Sequence, residues 1–351
     1  MVKIKINENV TKLKEKSKSK NTQDKYDGDW LKFTHYCQNK YFCNPNDVDD
    51  LESAYALVAN YMYWLHEDPE AKVFKGSSNL PGREKLNNNP YSSSPYKAST
   101  IQRILASITY KYRLNGFQFD RKNPNIAETI SAIVRDEKNN RSGQAKELLK
   151  TDIINIIDSI PNDEEDIRNI RDKALILVGF YSFCRRSELL GMKFEHLNFA
   201  EDSIQVLIPF SKTDQTGEGR MILLPATNDN YCPVKALKHW LEIALIESGP
   251  LFYKINKSNK VEKYTMNYKN QKVSLNDSSF VIILKNRAIA AGIDDANISG
   301  HSLRIGSITQ ARMNGVPTHE IMAQSGHKTE QMINRYTKLS NIRETSAAKK
   351  I

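Results

Sequence analysis

The sequence has few cysteines and no long apolar run. Its 351 residues include only Cys37, Cys43, Cys184 and Cys232, and no two of these form a CxxC pair. Cysteines this few and this scattered argue against a disulfide framework or a zinc site and indicate reduced thiols. No stretch is apolar enough to span a bilayer, and the first residues are charged where a signal peptide needs apolar ones. We therefore expect a cytoplasmic protein with no membrane partner.

The sequence also lacks the signatures of several enzyme classes. It contains no Walker or Rossmann glycine loop and no internal repeat. Three histidines near the C-terminus, His301, His319 and His327, match no HExxH pattern, and no carboxylate is obviously placed to complete a metal site. We therefore predict no metal and no cofactor.

What the sequence does have is an excess of positive charge, +10 in all. The first 20 residues contain seven lysines against two glutamates, which is half of that excess. Lysines on a polyanion release condensed counterions, so a basic arm over residues 1–20 indicates a partner such as double-stranded DNA. A solvated, disordered tail explains the same charge, and both interpretations stay open.

Apolar periodicity and loop punctuation divide the rest of the chain into two domains. The first part predicts helices over about 22–37 and 47–66, a long loop over 76–97, and a helix after it with Ser99 and Gln102 at capping-box spacing. The second part mixes helices with two strands between 203 and 224. We predict a mainly α protein: a helical core-binding domain over 21–138, a linker over 139–147, and an α+β catalytic domain with a small antiparallel sheet over 148–351.

Two predicted helices in the first domain are amphipathic. The helix over 22–37 has an apolar stripe, and the helix after Ser99 has an apolar face with Arg103, Ser107 and Lys111 lining another face. A basic stripe on such a helix fits a DNA groove, and an ordinary wet surface explains it as well. The predicted apolar positions are Tyr26, Trp30, Phe33 and Cys37 in the first helix, and Ile101, Ile104, Leu105, Ile108 and Tyr112 in the second.

The second domain has helical segments predicted over about 151–160, 166–181 and 234–246. The strands IQVLIPF and RMILLP flank a turn with Gly217 and Gly219. From His301 onward we predict three helical pieces, because glycine and proline interrupt the pattern at 315–317 and at 325–326.

Residues suited to phosphate chemistry occur in a fixed order along this second domain. Arg185 stands three residues before Glu188, and Lys212 follows the first predicted strand. His301 and Arg304 are three residues apart, which places them on one helix face. His327 follows in SGH, and Tyr336 follows nine residues later in INRYTK.

This set resembles the tyrosine recombinase family, which includes phage integrases and Cre-like recombinases. The resemblance is in the Arg-x-Ser-Glu-Leu motif at Arg185, the hairpin lysine Lys212, His-x-x-Arg at 301–304, Gly-His at 326–327, and Tyr336. CPVKAL at 232–237 and SGPLF at 248–252 also look like integrase sequence. The resemblance implies a site-specific recombinase that integrates or excises a mobile element through a 3′-phosphotyrosine, without metal, as a homotetramer on two DNA duplexes.

The proposed roles follow from the chemistry of each side chain. Planar, permanently charged guanidinium groups clamp a phosphorane, which assigns Arg185 and Arg304. Imidazoles donate hydrogen bonds or move protons, which assigns His301 and His327. Lys212 can protonate the leaving 5′ oxygen, and Tyr336 attacks the phosphorus.

Several alternatives remain at this stage. Arg186 is adjacent to Arg185, although the distance to Glu188 favours Arg185, and Glu188 either orients Arg185 or caps the helix that begins near Ser187. The tail after Tyr336 either docks on a neighbouring protomer or frays. A type IB topoisomerase shares the chemistry without strand exchange, and an idle DNA-binding accessory protein shares the residues without the chemistry.

Overall fold

The computed structural model describes residues 20–67, 71, 96–139, 145–162, 165–209, 219–263 and 274–334. Residues 1–19 of the predicted basic arm over 1–20, and nearly all of the predicted loop over 76–97, lie outside these residues. The chain divides into two compact units, Met1–Ser142 and Gly143–Ile351. Each unit is described by itself below.

The described part of the first unit consists mainly of four helices. α1 packs against α3, and α2 packs against α4. Asp50 caps α2, because its carboxylate accepts hydrogen bonds from the backbone N–H and the hydroxyl of Ser53, both at 2.7 Å. The helix α4 was not predicted from the sequence. The helices are α1 (Lys20–Tyr41), α2 (Leu51–Glu67), α3 (Ala98–Leu114) and α4 (Pro124–Asn139).

Aromatic side chains fill the core of this unit. Tyr112 of α3 stacks on Phe119 with ring centroids 5.2 Å apart, and Phe33 of α1 meets Tyr61 of α2 at 5.1 Å. Burying each such side chain contributes about 1.5–3 kcal/mol relative to leaving it exposed. The apolar face predicted for α3 is the face that the helix buries, as its fully buried residues show: Ile101, Ile104, Leu105, Ile108 and Tyr112.

The start of α3 differs from the prediction. The helix begins at Ala98, with Lys97 at the N-cap position and no side-chain cap from Lys97. The backbone N–H of Ala98 instead donates to Glu137 of α4 at 2.9 Å. The prediction of a capping box at Ser99 is therefore wrong. The helix begins one residue earlier, and the carboxylate of Glu137 accepts a hydrogen bond from one of the backbone N–H groups at its start.

The second unit contains a small sheet among helices, which confirms the predicted fold class. A single 3₁₀ turn, Phe194–His196, precedes the sheet. The strand β1 and the helix α9 were not predicted. The elements in chain order are α5 (Lys150–Ser159), α6 (Ile167–Tyr181), α7 (Arg186–Leu190), β1 (Leu197–Phe199), β2 (Ser203–Ile208), β3 (Arg220–Pro225), α8 (Pro233–Ile243), α9 (Asp277–Ala290), α10 (Ser302–Met313), α11 (Thr318–Ser325) and α12 (Glu330–Asn334).

The sheet has the antiparallel order β1-β2-β3. Side chains alternate along each strand, so Val206 of β2 and its register partner Ile222 of β3 both face the core. Leu207 and its partner Met221 point to the other face and are partly exposed. This register brings Arg220 at the start of β3 opposite Ile208 at the end of β2.

The helix α6 forms the centre of this unit. Almost every side chain from Asn169 to Phe180 is buried, and the helix packs against both α8 and α10. The helix ends at Tyr181, five residues before α7 begins at Arg186.

Among the described helices, none is both long and apolar enough to cross a membrane.

Gly306 lets α10 approach the segment before α5 very closely. A Cβ atom at this position would lie 1.7 Å from the carbonyl oxygen of Leu148, which is backbone and cannot rotate away. We expect Gly306→Ala to lower the free energy of unfolding by about 1–3 kcal/mol, the usual cost of overpacking. Urea unfolding followed by circular dichroism measures the change.

Gly28 is the matched control for this substitution. It lies inside α1, and nothing is within 4 Å of a Cβ built there. Gly28→Ala should therefore raise the free energy of unfolding by about 0.5–1 kcal/mol through helix propensity alone. A Gly306→Ala protein as stable as the Gly28→Ala protein would contradict the close approach.

Candidate active site

The junction between α6 and α7 carries the first functional side chains. Phe183 has a positive φ of 55°, which costs a non-glycine residue of order 1–3 kcal/mol. The sharp turn places Arg185 at the N-cap of α7. Its backbone N–H donates to one oxygen of Glu188 at 3.0 Å, and its Nη1 donates to the other at 2.8 Å. Glu188 therefore both caps the helix and orients Arg185.

Glu188 is the centre of a cluster of arginines. Besides Arg185, Arg220 donates from Nη2 to Oε2 at 2.9 Å, and Nη1 of Arg304 lies 4.0 Å from the same oxygen. The Glu188 side chain is only 4% exposed. Burial alone would raise its pKa, but the hydrogen bonds and charges of Arg220 and Arg185 lower the pKa below its usual range. Glu188 is therefore a carboxylate at neutral pH.

Arg304 is buried on the first turns of α10. Its Nη1 donates to the carbonyl oxygen of Phe183 at 2.6 Å, so the strained turn after α6 has a direct partner on α10. Its Nη2 lies 3.0 Å from Nε2 and 3.2 Å from Nδ1 of His327. These nearly equal distances place the guanidinium against the ring rather than in line with one nitrogen.

His327 follows the left-handed Gly326 that ends α11. The Oγ atom of Ser325 is 2.7 Å from Nδ1 of His327, which fixes the orientation of the ring. Burial, followed by the charges of Arg304 and Arg185, lowers the pKa of His327 from 6.5 to about 3. The ring is therefore neutral at pH 7, and as pH falls below 6.5 the unfolded chain takes up this proton first, which destabilises the fold.

Arg220 was not among the site residues predicted from the sequence. It lies at the start of β3, its side chain is 16% exposed, and it contacts Glu188 and the thiol of Cys184. Burial raises the pKa of Cys184 to about 11, so that thiol is neutral. The available signal was the position of Arg220 at the far end of the segment that contains Lys212. Three guanidinium groups thus surround one carboxylate and one neutral imidazole, which is an arrangement suited to an oxyanion.

The structure brings together four of the residues singled out in the sequence. Arg185, Glu188, Arg304 and His327 form the cluster. His301 is at the N-cap of α10, one turn before Arg304, and its side chain is exposed whereas Arg304 is buried.

Two predicted site residues lie outside the described residues. These are Lys212 and Tyr336. Arg186 points away from Glu188: its Nη2 donates to Asp277 of α9 at 2.6 Å, and its side chain lies against Gly300. The geometry thus associates Arg185, and not Arg186, with the carboxylate.

Arg103 and Lys111 are paired inside the first unit. Arg103 donates to both carboxylate oxygens of Asp29 on α1, and Lys111 lies 2.5 Å from Asp27. Ser107 between them is fully buried and donates to the carbonyl oxygen of Ile104. The face that contains them is therefore a helix–helix contact with two ion pairs at its edge, rather than a continuous basic stripe.

Among the described residues, one group of three side chains is close enough together to hold a metal ion: His66, Glu67 and Asp136. Nε2 of His66 lies 3.0 Å from Asp136 and 3.3 Å from Glu67, in the first unit. A hydrogen bond between the imidazole and a carboxylate accounts for this geometry, and both carboxylates are 53% exposed. His319, by contrast, is exposed beside Glu320 on α11.

Comparisons with known proteins agree on one family. The family model described as "Phage integrase family" matches residues 146–343. The integrase/recombinase xerD homolog of Selenomonas ruminantium is 31% identical over 338 residues, which cover 95% of this chain and 86% of that protein. Among solved structures, a lambda integrase dimer bound to a COC′ core site matches with a TM-score of 0.51 at 14% identity, over 93% of this chain and 76% of that one.

A second solved structure gives the same fold. The Tn1549 transposon integrase in complex with transposon right-end DNA has a TM-score of 0.51 at 12% identity, over 90% of this chain and 92% of that one. The chain belongs to the phage integrase family. It is a tyrosine-type site-specific recombinase, an enzyme that cleaves and rejoins DNA.

Proposed function

We propose that this recombinase attacks DNA with the hydroxyl of Tyr336 and forms a 3′-phosphotyrosine with a free 5′ hydroxyl. The observation that supports this most directly is the buried cluster of Arg185, Arg220 and Arg304 around Glu188 and neutral His327. A phosphodiester under attack gains negative charge on its non-bridging oxygens, and fixed cations stabilise that charge without reorganising. Arg185 and Arg304 form the clamp in this proposal.

His327 and His301 contribute hydrogen bonds or proton transfer. Because His327 is neutral at pH 7, it acts as a hydrogen-bond donor or a base and not as a cationic acid. His301 is exposed at the N-terminus of α10, one turn from Arg304, which leaves its ring accessible to a bound phosphate. No metal takes part, since the arginines supply the positive charge.

The elements next to Lys212 and Tyr336 in the sequence support the roles proposed for these two residues. Lys212 lies in the connection from β2 to β3, and β3 begins at Arg220 within the cluster. We propose that it protonates the leaving 5′ oxygen. Tyr336 comes two residues after α12, which packs against α11, the helix that leads to His327.

The domain roles and the assembly belong to the same proposal. The helical domain over 21–138 clamps double-stranded DNA, residues 139–147 link it to the catalytic domain over 148–351, and the basic arm over 1–20 binds phosphates. Four protomers act on two duplexes in the cytoplasm, bound to DNA, and integrate or excise a mobile element. The solved lambda integrase dimer is bound to a core site, which supports a protein assembly on DNA.

Strand exchange between two paired sites tests this function. DNA flanking the gene is the first substrate, since an integrase commonly lies beside its own attachment site. Recombinant products from two labelled duplexes, and a four-protomer complex after cross-linking, are the expected results. Relaxation of supercoils without recombinants would favour a type IB topoisomerase, and binding without any covalent adduct would favour an accessory protein.

The basic arm and the α3 cations should contribute affinity without chemistry. Removal of residues 1–20 should weaken DNA binding and flatten the plot of log affinity against log salt, by about 0.9 in slope for each phosphate that is no longer neutralised. Lys111→Ala should act in the same direction on a smaller scale, because Asp27 already neutralises part of its charge. Cleavage of saturated complexes should not change. Arg103→Ala should also weaken DNA binding and flatten the salt plot. It should in addition lower the free energy of unfolding, because it leaves the buried carboxylate of Asp29 without its partner.

Asp27→Asn is the matched control for Lys111. It releases the lysine from its ion pair, so the salt slope should steepen where Lys111→Ala flattens it. Fluorescence anisotropy at four or more salt concentrations measures both. Equal slopes for wild type and the two variants would show that Lys111 does not meet DNA, and an unchanged slope after truncation would exclude the arm.

A further inference from the structure

Arg220 shares Glu188 with Arg185 but approaches it from a different element. Glu188 uses Oε1 for Nη1 of Arg185 at 2.8 Å, and Oε2 for the backbone N–H of Arg185 at 3.0 Å and Nη2 of Arg220 at 2.9 Å. The next guanidinium to Oε2 is Arg304 at 4.0 Å. Among the described residues, Arg220 is therefore the cation that holds Oε2 at hydrogen-bond distance.

The same guanidinium supports the turn before His327. A Cβ atom at Gly326 would lie 2.8–3.0 Å from the Nη1, Cζ and Nε atoms of Arg220. Gly326 also has a φ of 69° at the end of α11. The Nε atom of Arg220 is buried with no hydrogen-bond partner in the described part of the chain.

We propose that Arg220 is a positioning residue of the recombinase active site, which holds the Glu188 carboxylate away from Arg304 and supports the Gly326–His327 turn. This inference rests on the proposed function, because it assigns Arg304 to the phosphate. Without Arg220, the nearest remaining guanidinium to Oε2 is Arg304, 4.0 Å away. Removing this donor leaves a buried carboxylate uncompensated, and we expect the carboxylate to turn toward Arg304. It would then neutralise Arg304 and compete with the phosphate for it.

The test separates this role from a merely structural one through a second substitution. Arg220→Met removes the charge and keeps an aliphatic stem, and we expect cleavage of a nicked suicide substrate at saturating protein to slow by about 10- to 100-fold, the range for removal of a hydrogen bond to a charged group. Glu188→Gln in the same chain removes the uncompensated carboxylate. Because Glu188→Gln also weakens the hold on Arg185, we expect the double variant to be slowed by less than the product of the two single effects.

Two further variants complete the design. Arg220→Lys restores a cation and should cleave at an intermediate rate, which keeps the test valid if Arg220→Met does not fold. Arg287 is the matched control, because it also donates to a buried carboxylate, Asp172, but outside the cluster. Arg287→Met should lower the melting temperature and leave the cleavage rate of the folded protein unchanged.

The outcomes distinguish the inference from the function on which it rests. Wild-type rates for folded Arg220→Met, or a double variant slowed by the product of the two single effects, would overturn the positioning role while wild type still forms its adduct. Absence of any adduct with wild type would overturn the proposed function and the inference with it. A double variant slowed by less than the product of the two single effects supports both the positioning role of Arg220 and the proposed function.

Discussion

Tyr336→Phe should abolish the covalent protein–DNA adduct and leave DNA binding intact. The substitution keeps the ring and removes only the oxygen that attacks phosphorus, so no phosphotyrosine can form. The expected result is complete loss of the slow-migrating adduct on a denaturing gel with a nicked suicide substrate. Anisotropy measured with the same DNA should give an affinity close to that of wild type.

Tyr231 provides the matched control for this loss. Its hydroxyl donates to Asp158 at 2.9 Å, in the same unit but outside the arginine cluster. Tyr231→Phe should therefore form the adduct at the wild-type rate. An adduct formed by Tyr336→Phe would show that the nucleophile is another residue, and partial proteolysis of that adduct would locate it.

Arg304→Lys should slow cleavage by roughly 100-fold or more, in the range measured for removal of one oxyanion donor. Lysine keeps the charge but loses the planar fork, and with it the simultaneous contacts to the carbonyl of Phe183 and the ring of His327. Single-turnover cleavage at saturating protein is the measurement. Because Arg304 is buried, the melting temperature of the variant must be recorded alongside, to separate slower chemistry from unfolding.

The adjacent pair Arg185 and Arg186 offers an internal comparison for the same prediction. Arg185→Lys should slow cleavage about as much as Arg304→Lys, because both arginines face Glu188. Arg186→Lys should retain most activity, since Arg186 pairs with Asp277 instead. EDTA should change none of these rates. The reverse pattern, with Arg186→Lys inactive, would show that the clamp uses the other arginine.

Apolar periodicity and the positions of glycine and proline predicted most helices of the second unit, because both depend only on residues close together in the sequence. The boundaries of α5, α6 and α8 fall within a few residues of prediction, and the two breaks before α11 and after it are where glycine and proline occur. The helix α9 was not predicted, because its run Phe280–Leu284 is continuously apolar and has no helical period. The three-residue strand β1 is too short to give a pattern.

In the first unit, the apolar stripes were informative and the charges were not. The buried face of α3 follows from its own periodicity. The partners of Arg103 and Lys111 are on α1, more than 70 residues earlier in the chain, and no local pattern specifies such a pair. The capping of α3 by Glu137 has the same cause.

The sequence by itself determined the order and spacing of the reactive residues, because the family resemblance is a property of the chain. It also determined the mainly helical class with a small sheet, because both follow from local periodicity. Only the tertiary structure decided that Arg220 joins Arg185 at Glu188 and that His327 is neutral. Those facts depend on burial and on contacts 23 to 32 residues apart in sequence, between elements that only packing brings together.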